Sequence, residues 1–233
     1  MKSLTLRGLR GGVGCTTLIA ALGYALHQLR QRVLLLDLCP ENMLGLHLNL
    51  PWSAAEGWAQ ADKQQSPWQE AAWCLSQDLW ILPYGRLSYA EQQPIAQSLN
   101  QQLEHWPERL ASLSSHFDWV LIDQKTAEPL SLVACDLEIR VAHADPACHA
   151  LLQSSLPPDM PLLVNNFDPI RKLQRDIWLL WQQTRPELVP LLIHADEAVP
   201  ESLACKAPVG HHAPQSLAAK NVASLAAWCL SKE

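Results

Sequence analysis

Apolar and polar positions fall along this chain in two kinds of block. Leu18, Leu22, Ala25, Leu26 and Leu29 recur at helical spacing over residues 16–29, whereas residues 32–38 (RVLLLDL) are apolar almost without a break. The first pattern is one face of an amphipathic helix, and the second is a strand buried on both sides. With SLTLRGL (3–9) ahead of them and a cluster of glycines between, the order strand, glycine loop, helix, strand predicts a βαβ unit with parallel strands. The alternation continues. Residues 79–85, 117–124, 137–145, 161–167 and 188–196 read as strands, and 94–115, 147–155, 170–184 and 215–232 as helices. Pro107 should break or kink the first of those helices, and residues 54–73 read as helical excursions beside the sheet. Helices alternating with buried strands predict one α/β domain over 1–233, doubly wound, with a mostly parallel central sheet flanked by helices.

Composition narrows what such a domain can do. Of 233 residues, 48% are hydrophobic, enough for a full core, and 17% are charged, with a net charge of -6. An acidic balance disfavours sequence-independent nucleic-acid binding, which rests on clustered Lys and Arg. The seven cysteines form no C-x-x-C pair, so thiols in a reducing cytoplasm are expected rather than a disulfide framework or zinc ribbon. No leader-like or bilayer-length apolar run is present. The last helix carries too few basic residues for an interfacial anchor, so no direct membrane insertion is expected. His143, His149, His211 and His212 lack ligand companions at metal-binding spacing. The ten tryptophans, among them Trp52, Trp58, Trp68 and Trp73, are read as core or half-buried surface in preference to partner anchors.

In an open α/β sheet, ligands lie beyond the carboxyl ends of the strands. Three features fall there: the loop RGGVGCTT (10–17), Asp37 after the second strand and Asp123 after FDWVLI. Gly11, Gly12 and Gly14 let backbone N–H groups turn inward at the start of a helix, which makes an anion site without any side-chain charge. Thr16 stands where a hydroxyl ligates Mg²⁺, and Thr17 where one meets a more distal phosphate oxygen. Asp123 would act near the Mg²⁺ through water. Cys15, at a helix N-terminus, has the setting that lowers a thiol pKa, but no paired histidine is identifiable, so a reactive thiol is the weaker reading. A dinucleotide fingerprint is the alternative: GVGCTT approximates G-x-G-x-x-G, and Asp37 lies at a distance suited to a ribose.

The segments RGGVGCTT, VLLLDLCPENMLG, FDWVLID, LLVNNF and LIHADEAVPESLACKAPVG occur in the order seen in the ParA/MinD family of deviant P-loop ATPases. The chain resembles that family over nearly its whole length, and looks closest to the branch encoded with bacterial cellulose synthase. The resemblance implies ATP and Mg²⁺ as ligands, held by Gly11, Gly12, Val13, Gly14, Cys15, Thr16 and Thr17. Asp37 would be the first switch aspartate, with Thr16, Asp37 and Asp123 around the metal. Arg10 takes the place of the signature lysine that reaches a partner subunit's phosphates, and its planar fork suits phosphate oxygens. Asn165 matches the adenine-reading asparagine, with Asn166 the alternative, and His194 and Asp196 belong to a loop flanking the base. Three positions depart from the family pattern: Leu9 for a glycine, Cys15 for the lysine spanning the β- and γ-phosphates, and Cys39 for a second switch aspartate.

The resemblance further implies a homodimer, a short partner called BcsR, then BcsE and cytosolic components of cellulose synthase. It implies a cytoplasmic chain recruited to the inner-membrane synthase complex. Three functions remain in view: a slow or non-hydrolysing ATP switch of cellulose secretion, a turning-over positioning ATPase like MinD or ParA, and a nicotinamide-dependent oxidoreductase.

Overall fold

The computed structural model describes residues 1–87, 105–124, 133–153 and 160–232. Eight strands form a single sheet among them: β1 (Lys2–Gly8), β2 (Val33–Asp37), β3 (Trp73–Ser76), β4 (Leu79–Leu82), β5 (Trp119–Asp123), β6 (Leu137–Ala142), β7 (Leu162–Phe167) and β8 (Leu188–His194). Their order across the sheet is β3-β4-β2-β5-β1-β6-β7-β8. Every neighbouring pair is parallel except β3–β4. The helices are α1 (Cys15–Gln28), α2 (Trp58–Gln64), α3 (Trp106–Ser112), α4 (Pro146–Leu151), α5 (Lys172–Thr184), α6 (Ala198–Ala204), α7 (Val209–His212) and α8 (Leu217–Leu230).

The unbroken apolar runs become the centre of the sheet, as burial on both faces requires. All five residues of β2 and of β5 are buried. Alternate side chains divide between two cores because successive Cβ atoms point to opposite faces of a strand. Leu35, Trp119 and Leu121 pack with α1 and α8 on one side. Leu34, Leu36, Val120 and Ile122 pack with Trp58, Tyr84 and Trp106 on the other. Trp58 lies edge-on to both Tyr84 and Trp106, and all three are buried. Trp58 is therefore core, while Trp52 is half exposed and stacks with Arg86, 3.4 Å from the ring centre.

Two details depart from the sequence pattern. Pro107 does not break a helix: it sits in the first turn of α3, where its missing N–H costs nothing. The expected stretch 94–104 ahead of it lies outside the described residues. Trp73–Ser76, of which the pattern placed only Trp73 among helical excursions and left 74–76 unassigned, pairs antiparallel with β4 at the edge of the sheet. Its four residues are too few to show periodicity. At the opposite edge, β8 carries an exposed Pro190, a residue tolerated only where no ladder hydrogen bond is needed.

This order places β5 between β1 and β2. In the dinucleotide fold those two strands are neighbours, so that the acidic residue after the second reaches a ribose held by the glycine loop. Here Asp37 pairs in register with Asp123 instead.

Candidate functional site

The glycine loop leaves β1 at Gly8 and enters α1 at Cys15. Gly12 and Gly14 have φ of 77° and 93°, left-handed values that glycine adopts at little cost. Gly11 and Gly12 are exposed, and Val13 is buried as the loop's anchor. Gly14 caps α1 without a side chain, and the first helical hydrogen bond runs from the Leu18 N–H to the Gly14 carbonyl at 2.9 Å. The N–H groups ahead of Leu18 thus have no intrahelical acceptor, which leaves a positive helix terminus for an anion.

Gly14 is also pressed by a neighbour. A Cβ there would lie 2.6 Å from Asn165 Nδ2, which donates to the Val13 carbonyl at 2.7 Å. Gly14→Ala should cost about 2–3 kcal/mol, from left-handed strain and the displaced amide bond together. A fall in the urea midpoint at unchanged slope measures it; an unaltered midpoint would show the loop free to relax.

Opposite the loop, the ends of β2 and β5 bring two carboxylates together. Asp37 Oδ1 accepts from the Cys39 N–H at 2.9 Å and Oδ2 from the Leu44 N–H at 3.1 Å, so the group is fixed by the turn that follows it. It is fully buried, which removes it from a ribose-reading role. Burial, and next the neighbouring Asp123, push its pKa well above the usual carboxylate value. Burial also raises Asp123, to about 6, against a hydrogen bond from Thr16 that lowers it. Asp123 Oδ2 has no hydrogen-bond partner. Two buried carboxylates side by side, one with an orphaned oxygen and a threonine hydroxyl beside it, fit a divalent cation. Thr16, Asp37 and Asp123 are the residues that would hold Mg²⁺ here.

Cys15 stands where the family's lysine would reach the phosphates, and its setting at a helix N-terminus does not make the thiol acidic. Burial, reinforced by the Asp123 charge, pushes its pKa up to about 12 and outweighs a backbone hydrogen bond that lowers it. It is a neutral thiol at any physiological pH.

Arg10 does not project freely. Its Nη2 donates to Asp145 at 2.6 Å, and its Nη1 to the Gly11 carbonyl at 3.1 Å. The ion pair is partly exposed, the kind of pair that contributes little and is readily exchanged for another anion.

The second half of the pocket is a cavity of about 190 Å³ lined by Gly12, Gly14, Thr17, Asn165, His194 and Asp196. Asn166 lines it too, exposed and at φ 56°, where β7 loses its regular pairing with β8. Sequence reasoning thus brings the loop, both asparagines and the 194–196 segment to one place. It missed most of the apolar wall, Ile193, Pro200, Val209 and Val222, residues that read only as core without the fold. It also missed Asn221 on α8, whose Oδ1 accepts from the His194 main-chain N–H at 3.1 Å. Asp196 serves the scaffold: its carboxylate accepts the Ala198 and Ala218 N–H groups, each at 3.0 Å, tying α6 to α8. Those bonds hold its pKa below the ordinary value.

A sequence profile described as "Cellulose biosynthesis protein BcsQ" matches residues 1–230. The cellulose biosynthesis protein BcsQ of Escherichia coli (strain K12) is 39% identical over 246 residues, covering 99% of this chain and 94% of that protein. The chain belongs to the BcsQ family. Among solved structures, the MinD cell division protein of Aquifex aeolicus matches with a TM-score of 0.76 at 15% identity, over 100% of this chain and 98% of that one. The septum site-determining protein MinD of Pyrococcus horikoshii OT3, complexed with Mg-ADP, gives a TM-score of 0.70 at 18% identity, over 97% and 94%. This BcsQ-family chain therefore has the MinD/ParA P-loop fold, the architecture its residues suggested. Among the described residues no helix is long and apolar enough to cross a membrane.

Proposed function

We propose that this chain is an ATP-binding switch of bacterial cellulose biosynthesis, one that holds nucleotide with Mg²⁺ and hydrolyses it slowly. The observation that carries this is a lysine-free glycine loop whose helix brings Thr16 to Asp123, itself paired in register with the buried Asp37. Backbone amides and the α1 terminus would hold the phosphates, and the cavity beside Asn165 would take the base. Mg²⁺ would supply the positive charge that offsets the phosphates and the two carboxylates.

What is missing is charge aimed at the transferring phosphoryl group. A thiol that stays protonated up to about pH 12 neither repels the phosphates nor stabilises charge developing on them. Losing one such contact costs about 10²–10³ in rate while sparing much of the ground-state binding. Arg10 would restore part of it by leaving Asp145 for the phosphates of a second copy, with nucleotide buried between the two. Switching would then be read by BcsR, BcsE and the cytosolic components of the synthase, recruiting the chain to the inner-membrane complex.

The test is to release and identify the nucleotide that copurifies with the chain, then to follow phosphate release. ATP or ADP retained with little turnover supports the switch. Rapid phosphate release would make it a positioning ATPase, and recovered NAD would overturn both.

A further inference from the structure

Cys39 departs from the family pattern at a place where the structure gives the departure a chemical meaning. Asp37 accepts the Cys39 N–H, which folds the chain back so that the thiol returns toward the carboxylates. One ligand atom each from Asp37, Cys39 and Asp123 lies within 4.8 Å of the other two, the one such group of three among the described histidines, cysteines and acids. Asp123 is 3% exposed, and its Oδ2 is a buried acceptor with no donor. Asp37, in contrast, is held rigid by two N–H groups but keeps spare lone pairs on both oxygens. Glu41 adds negative charge to the same neighbourhood.

We propose that Asp37, Cys39 and Asp123 form a site for a thiophilic divalent cation of the Zn²⁺ class, occupied when no nucleotide is bound. Mg²⁺ takes oxygen ligands and gains nothing from a thiol, whereas two carboxylates and a thiolate are a set that zinc takes in preference. Zinc bonds of about 2.0–2.3 Å place ligand atoms roughly 3.5 Å apart, so a closure of about an ångström completes three positions and leaves the fourth for water. Cys39 is only half buried, which gives the ion a way in. On binding, the Cys39 sulfur loses its proton to solvent and forms the metal–sulfur bond. The site rests on the reading of this pocket as cation-binding but requires no nucleotide.

Cobalt(II) reports a thiolate ligand directly through its sulfur-to-metal absorption. Metal-stripped, nucleotide-free full chain should develop that band to saturation at one cobalt per chain, and Zn²⁺ should abolish it by displacement. Cys74→Ser and Cys205→Ser, at the exposed cysteines, should leave the band intact. Cys39→Asp should remove it and weaken zinc at least about tenfold, with circular dichroism confirming the fold. A folded wild-type chain without the band, or a band undiminished in Cys39→Asp, overturns the site. A chain that shows the band yet takes up no Mg²⁺–nucleotide keeps this site and overturns the ATP switch instead.

Discussion

Cys15→Lys combined with Cys39→Asp is expected to raise phosphate release by about 10²–10³ over the unaltered chain, because each substitution returns a group that phosphoryl transfer uses. The lysine would project from the first residue of α1, next to the glycine loop and close enough to Asp123 for that carboxylate to stabilise its charge. The aspartate would stand two residues beyond Asp37, whose carboxylate already fixes the intervening turn. Cys15→Lys alone should give a smaller gain. Single-turnover phosphate release, measured beside nucleotide affinity, separates chemistry from binding. A double variant that binds nucleotide as tightly as the parent and still does not cut it would show that something other than these two thiols slows the reaction.

Asp123→Asn is expected to stabilise the nucleotide-free chain near neutral pH while abolishing its Mg²⁺-dependent nucleotide uptake. Asp123 sits at about 6 in the fold against 3.8 for an ordinary aspartate. A raised pKa means that the folded state binds the proton more tightly. The associated stability is fully present below about pH 4 and lost as pH rises through 6. At about 1.4 kcal/mol per unit, this difference amounts to roughly 3 kcal/mol. Asp37, raised by burial and by Asp123, acts in the same direction. Asp196 and Asp118 lie below the ordinary value, so their contributions fade only at pH below about 4 and do not interfere. Burial lowers His47 to about 4, which adds stability to both proteins as pH rises, so urea unfolding at pH 5 and pH 7.5 is read as the difference between them: the parent should lose stability relative to the asparagine variant across the interval. Equal changes in both would mean that Asp123 titrates as an ordinary aspartate. A bound cation would relieve such a cost.

The fold was legible where residues are forced by their surroundings. β2 and β5 announced themselves because a strand buried on both faces has no polar position to spare, and α1 because its apolar face meets the sheet. Trp73–Ser76 did not, being a short edge strand whose pairing with β4 is a tertiary matter. Within the site, Gly11 to Thr17, Asp37 and Asp123 could be read from their places at strand ends. The order of strands could not, and it alone decides between a ribose-reading Asp37 and one that faces Asp123. The Cys15 thiol shows a further limit. A helix terminus is visible in sequence, but the burial that raises this thiol is a property of the fold, and the Asp123 charge that adds to it comes from β5, more than a hundred residues away. Asp196 lines the cavity as a member of a base-flanking loop would, and the structure adds that two backbone N–H groups claim its oxygens.

The proposed nucleotide switch depends on main-chain amides of residues 11 to 17 gripping a triphosphate with no lysine from their own subunit. Isothermal calorimetry of the full chain, freed of bound nucleotide and given ATP with magnesium, addresses this directly. Saturable uptake that weakens strongly when magnesium is withheld is the expected result. No uptake by the folded chain, with or without BcsR present, would contradict it.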